Sequence, residues 1–174
     1  MTTPLNDDDK PLEGVAACGP DAASAGPGNP LDLDRQLCFA LYQATNRITR
    51  AYRPLLDALS LTYPQYLTLM VLWEGAPLTV GELCARLDLD SGTLTPLLKR
   101  MEAAGLLARR RDPSDERRVL IDLMPSAWTL REKAVAIPGA MLCRLSGDVQ
   151  EVTLRDLADL RDRLHRLSAA LGEG

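Results

Sequence analysis

The stretch from Thr79 to Leu123 is the tightest constraint on what this chain can fold into. Thr79 and Glu82 form a Thr-x-x-Glu capping box, in which hydroxyl and carboxylate satisfy backbone amides at a helix start, so a short helix is predicted over residues 81–87. Leu89-Asp90-Ser91 reads as a turn, with Asp90 or Ser91 as the next N-cap. Leu94, Leu97, Leu98 and Met101 then recur at helical spacing on one face, which must be buried. The opposite face carries Ser91, Thr93, Thr95, Lys99 and Arg100, side chains suited to phosphates and base edges. Gly105 is placed to end that helix in the left-handed conformation. Residues 106–111 and 118–123 read as two strands, and Asp112 to Arg117 as a turn too long for a tight hairpin. The sum is a winged helix-turn-helix, mainly α with a small antiparallel β-wing, a plan that sets one helix into a DNA groove.

Net charge bears on that expectation. At −4 it looks wrong for a DNA binder, but residues 1–34 hold seven acids against Lys10 alone, which leaves the rest of the chain mildly basic. Residues 99–118 carry seven cations against four acids, and phosphate contacts need that local excess rather than a basic whole. Residues 1–30, with five prolines and four glycines and no apolar period, are expected to be disordered, and no role is assigned to them. With no apolar run of ~18 residues, no membrane span is expected. Asp7, Asp8 and Asp9 stand where a signal peptide needs cations, so cytoplasmic residence and reduced cysteines are expected.

Outside the central stretch the chain reads as helices. Leu37, Leu41, Ala44, Ile48, Ala51 and Leu55 indicate one from Asp34 to about Leu56. Thr62 and Gln65 form a second capping box, opening a helix to about Glu74 that Gly75 closes and that is apolar nearly all round. After the wing, a helix is predicted from near Ser126 to about Leu145, bent at Pro138. A last one starts at Thr153, with Leu157, Leu160, Leu164, Leu167 and Leu171 forming a seam for another helix. Two readings of the terminal stripes stand open: they close a monomer's core, or they interlock in a two-fold dimer, which is the more economical and matches palindromic DNA sites. The domain plan is an acidic tail over 1–30 and one winged-helix domain over 31–174. Within it, the DNA-binding lobe spans about 60–125 and the dimerisation helices about 34–57 and 126–172. Pro96 breaks a local rule, since proline past the first turn costs ~3 kcal/mol in a regular helix, so a bend or a shifted boundary is expected there.

The helix order, the head from Leu83 to Met101 and the wing string Asp115-Glu-Arg117 resemble the MarR family of dimeric winged-helix repressors. Leu37-Cys-Phe-Ala-Leu-Tyr42, Leu61-Thr-Tyr-Pro-Gln-Tyr66 and Leu94-Thr-Pro-Leu-Leu-Lys-Arg100 are similar to the strings that mark its organic hydroperoxide resistance regulators. The resemblance runs from Leu37 to Leu171, and it implies that Pro96 is tolerated. It implies that Asp115 and Arg117 belong to the wing motif, with Arg117 reaching a minor groove whose narrow walls concentrate negative potential; Arg118 beside it is assigned to the same interface. From the residues alone, Asp115 and Arg117 also fit a solvated turn pair of small energetic value. Where the family pattern is Leu-Thr-x-x-Gly, this chain has Leu123-Met-Pro-Ser-Ala127, so Ser126 is expected to cap the next helix.

The same resemblance assigns the cysteines. The position matching Cys38 is the peroxide-reactive thiol, and tyrosines matching Tyr52 and Tyr63 donate hydrogen bonds to it from the partner subunit. Phenol donors favour the charged form of a sulfur, and the thiolate is the nucleophile. Cys143 matches the resolving cysteine of the two-cysteine subgroup, which converts a sulfenic acid to a disulfide before irreversible over-oxidation. From the residues alone, Cys38 between Leu37 and Phe39 reads more readily as an inert core residue, while for Cys143 burial in the last apolar turns of its helix is the lesser alternative. Cys84 is expected to be a small core residue, and Cys18 has no predicted role. The cysteines lie 20, 46 and 59 residues apart with a single His165, so neither a metal site nor a cofactor is expected.

The resulting expectation is a repressor that holds operator DNA as a reduced homodimer and releases it when an organic hydroperoxide oxidises Cys38. The alternative is a MarR-type repressor released by a non-covalent ligand such as a phenolic compound. An enzymatic thiol peroxidase is disfavoured because no catalytic base pairs with either cysteine, and a structural dimer would not bind DNA at all.

Overall fold

A computed structural model describes residues 29, 31–148 and 153–172; the expected disordered tail, Cys18 included, lies outside the described residues apart from Asn29. The described chain falls into two compact units that meet between Asn46 and Arg47. In the first, Asp32 caps a 3-10 turn over Leu33–Arg35, so the long helix starts later than expected; α1 spans Leu37–Asp57, its residues from Arg47 on being counted in the second unit. The Phe39 and Tyr42 rings stack at 6.4 Å, while Leu37 and Tyr42 remain largely exposed.

In the second unit α2 spans Tyr63–Gly75, β1 Leu78–Thr79, α3 Val80–Leu87 and α4 Ser91–Ala103. The Thr62 N–H donates to Gln65 Oε1 at 2.8 Å, closing the first capping box. At the second, the Thr79 N–H donates to Glu82 Oε2 at 2.7 Å and the Glu82 N–H returns to Thr79 Oγ1 at 3.2 Å. Gly75 is the last residue of α2 and Ala76 its C-cap, so the helix runs one residue past the expected stop. The core forms where α2, α3, α4 and the sheet converge: Leu69, Leu72, Leu83, Leu94, Met101 and Ile121 are fully buried. Full burial of such side chains contributes about 1.5–3 kcal/mol each, before entropy is counted.

Two expectations about the wing are corrected. β2 (Leu107–Asp112) and β3 (Asp115–Leu123) are joined by Pro113 and Ser114 alone, not by a six-residue loop. Asp112 makes that tight turn possible, since its Oδ1 accepts from the Ser114 N–H at 2.8 Å and from Ser114 Oγ at 2.6 Å. The ladder shifts from Arg111↔Val119 to Asp112↔Asp115, so residues 116–118 bulge from the β3 side. The sheet also has three strands in the order β1-β3-β2, because Leu78 and Thr79 pair with Ile121 and Leu120.

After the wing, α5 (Pro125–Ala134) and α6 (Ala136–Asp148) replace the single bent helix. Proline cannot donate to the carbonyl four residues back and its ring crowds that carbonyl. For Pro138 this residue is Ala134, where α5 ends, and Pro138 sits harmlessly in the first turn of α6. Ser126 is not the cap: Met124 is the N-cap residue of α5, Pro125 opens the helix, and Ser126 lies inside it. The last helix, α7 (Leu154–Gly172), has a Thr153–Asp156 capping box at its start and buries none of its residues; Leu160 is 52 % exposed.

Candidate nucleic-acid interface and thiol positions

Local chemistry sets α4 in place. Asp90 Oδ1 accepts from the Thr93 N–H at 2.8 Å and Asp90 Oδ2 from Thr93 Oγ1 at 2.7 Å, which holds the Asp90 carboxyl below the usual carboxylate range. A Cβ at residue 92 would stand 2.9 Å from Asp90 Oδ1, so any residue other than Gly92 would have to displace that carboxylate. α4 runs continuously through Pro96, so no shifted boundary is needed. Leu94, Leu97, Leu98 and Met101 are buried, which turns the opposite face outward. On that face Ser91, Thr93, Lys99 and Arg100 are exposed and Thr95 is half-buried. Thr93 donates its hydroxyl proton to Asp90, leaving it an acceptor; Lys99 and Arg100 make no ion pair with any described residue.

Gly105, with φ of 69°, reverses the chain after α4. The exit from the wing is tied to this point twice: the Met124 N–H donates to the Leu106 carbonyl at 3.0 Å, and Ser126 Oγ to the Gly105 carbonyl at 2.5 Å. At the wing tip, Arg117 Nε and Nη2 donate to Asp115 Oδ1 and Oδ2 at 3.0 and 3.2 Å. That bidentate bond lowers the Asp115 carboxyl from its ordinary range and raises Arg117. Arg117 nevertheless remains 91 % exposed, so its guanidinium is oriented yet open to a phosphate or groove. Arg118 Nε stands 3.9 Å from Asp112 Oδ2, and Arg110 Nη2 3.1 Å from Asp122 Oδ2. Two features went unread in the sequence: exposed Arg111 has no ion-pair partner among the described residues, and Glu102 bonds Arg109. The run Arg109-Arg110-Arg111 was the available signal for the first; nothing local announces the second.

Cys38, Cys84 and Cys143 all stand as thiols, Cys38 and Cys143 exposed and Cys84 half-buried in α3. Within the single chain neither Cys38 nor Cys143 lies in the core. Tyr52 and Tyr63 are brought together, with ring centroids 5.0 Å apart, and Tyr66 lies 6.1 Å from Tyr52. Burial raises all three phenols, with neighbouring phenols adding to the effect at Tyr52 and Tyr66. They are therefore protonated donors at neutral pH. Cys38 belongs to the first unit, and Tyr52, Tyr63 and Cys143 to the second. A cavity of about 360 Å³ opens beside Tyr63, lined also by Thr49, Arg53, Leu56 and Leu61. Among the described residues no group of three metal-ligating side chains could hold a metal ion, and no helix is long and apolar enough to cross a membrane.

Residues 61–119 match the MarR family. Over 143 residues the chain is 48 % identical to the organic hydroperoxide resistance transcriptional regulator of Bacillus subtilis, covering 81 % of this chain and 92 % of that protein. It also resembles reduced AbfR bound to DNA, with a TM-score of 0.66 and 30 % identity over 80 % of this chain and 94 % of that one. AbfR, a protein of Staphylococcus epidermidis, is similar in its disulfide-formed state too, with a TM-score of 0.53 and 32 % identity over 78 % of this chain and 91 % of that one.

Proposed function

The chain belongs to the MarR family of transcriptional regulators, and from that premise we propose that it is a redox-switched repressor, reading operator DNA as a reduced homodimer in the cytoplasm. The observation that carries this reading is the pair of exposed thiols, Cys38 and Cys143, in a chain so similar to an organic hydroperoxide resistance regulator. The lobe over about 60–125 presents α4 to the major groove through Ser91, Thr93, Thr95, Lys99 and Arg100, and the wing to the minor groove through Arg117, with Asp115 and Arg118 beside it. The helices over about 34–57 and 126–172 pair the two copies; the exposed apolar residues of α1 and α7 support this.

The Cys38 thiolate attacks the distal oxygen of an organic hydroperoxide, an S–O bond forms as the O–O bond breaks, and the alkoxide leaves and takes a proton from water to become the alcohol. Cys38 becomes a sulfenic acid, gaining the oxygen the peroxide loses. The Cys143 sulfur then attacks that sulfur, an S–S bond forms and water leaves. Tyr52 and Tyr63, protonated and paired, are suited to donate to the Cys38 thiolate from the partner copy. A disulfide needs Cα atoms within ~7 Å, so bond formation constrains the helices that carry the two thiols and with them the spacing of the reading heads.

The test is a stoichiometric dose of cumene hydroperoxide, followed by non-reducing gels, peptide mapping and DNA titration. Loss of DNA binding with a Cys38–Cys143 cross-link is expected, and a Cys38→Ser variant that still leaves DNA would sink the proposal. The cavity beside Tyr63 favours one alternative, release by a small non-covalent ligand such as a phenolic compound. That reading requires release from DNA with every thiol still reduced.

A further inference from the structure

One carboxylate joins the recognition helix to the wing. Glu102, on the last turn of α4, accepts from the Arg109 backbone N–H at 3.1 Å and from Arg109 Nε at 2.7 Å. The side chains are 35 % and 30 % exposed, so the pair is shielded better than an ordinary surface pair without being desolvated. Between the two residues lie the end of α4, the reversal at Gly105 and the entry into β2.

The arrangement is costly for a surface meant to attract phosphates. Arg109 is turned back onto α4 rather than left open, and Glu102 adds a negative charge to the helix that carries Lys99 and Arg100. A carboxylate within a Debye length of the DNA backbone, ~10 Å at moderate salt, repels it. What offsets this is geometry, since α4 and the wing must meet one duplex together and only a fixed angle between them allows it. We propose that Glu102 is a positioning residue for DNA binding: by pinning β2 to the end of α4 it sets the spacing at which Lys99, Arg100 and Arg117 engage the same duplex.

The inference rests on the DNA-reading assignment, and the two possible roles of Glu102 differ in sign. If it were only a surface acid, removing it would tighten DNA binding by removing repulsion. If it positions the wing, removing it weakens binding despite the gain in charge. The probe is a duplex selected from a random-sequence library by the reduced wild-type protein. Wild type, Glu102→Ala and Glu102→Gln are titrated against it over a salt series, with hydroxyl-radical footprints and thermal melts alongside. For Glu102→Ala we expect binding at least tenfold weaker, a salt slope lower by about one phosphate contact, and loss of the flanking protection under the wing while that under α4 persists. Glu102→Gln keeps a neutral acceptor for the Arg109 N–H and should fall between wild type and Glu102→Ala. Wild-type or tighter binding by either variant overturns the proposal, as does weakening with an unchanged slope and footprint. If Glu102→Ala does not fold, the Glu102→Gln comparison decides alone. If the wild type selects no duplex, the DNA-reading assignment fails and takes this inference with it.

Discussion

Ser126 Oγ donates to the Gly105 carbonyl at 2.5 Å, so the first turn of α5 is bonded to the left-handed residue that ends α4. The bond joins the helices that follow the wing to the reading head across 21 residues of chain. Ser126→Ala should cost about 1 kcal/mol, the net value of one ordinary hydrogen bond. Urea denaturation of the reduced protein measures it, with an unchanged m-value.

Leu94 sits on the buried face of α4 with no exposed surface. Leu94→Ala removes buried methyl groups and leaves a cavity, so a loss of about 2–5 kcal/mol is expected. The denaturation midpoint reports it, and DNA affinity should fall only where the fold is no longer fully populated.

Arg117 is different, because its side chain is 91 % exposed and supports little of the fold. Arg117→Ala should leave stability within about 0.5 kcal/mol of wild type. It should weaken DNA binding and lower the salt slope by about one. A variant with full affinity and an unchanged slope would remove Arg117 from the interface.

Stability should fall on both the acid and alkaline sides of neutrality. Hydrogen bonds hold six carboxyls below their ordinary range: Glu82 and Asp156 through Thr79 and Thr153, Asp90 through Thr93, Glu102 and Asp115 through Arg109 and Arg117, and Asp112 through Ser114. Between the folded and unfolded values the unfolded chain binds more protons, so stability rises with pH there. Their contribution is complete above about pH 5 and lost as pH drops through the folded values. For Tyr52, Tyr63 and Tyr66 the folded values are raised, so the folded chain keeps protons the unfolded one has released. Their contribution holds below about pH 10 and is lost as pH rises through the folded values. Chemical denaturation from pH 3 to 11 should trace a plateau with two falling edges.

Cys143→Ser separates the two chemical steps of the proposed switch. After a hydroperoxide dose this variant should show no cross-link on non-reducing gels, while mass spectrometry finds oxygen added to the Cys38 peptide. A cross-link through Cys84 instead would reassign the resolving thiol.

Most of the helical plan was legible because its signals act over three or four residues. The boxes at Thr62 and Thr79 and the left-handed Gly105 form where the sequence places them, the last helix begins beside Thr153 as expected, and of the two caps offered before α4 it is Asp90 that serves. The buried face of α4 follows from periodicity alone. The two-residue wing turn was misread because it depends on the Asp112 carboxylate closing over Ser114, a side-chain choice that strand propensity does not report. The chemistry of the thiols was legible as residue type, but their exposure was not, since exposure depends on what packs against a helix. Contacts that close long loops were decided only by the folded chain. Leu78 joins the sheet opposite Ile121, Trp73 Nε1 donates to the Ala127 carbonyl at 3.1 Å, and Ser126 bonds Gly105. Local hydrogen bonds need only the right neighbours in sequence, whereas these bonds need the core to assemble first and bring distant backbone into reach.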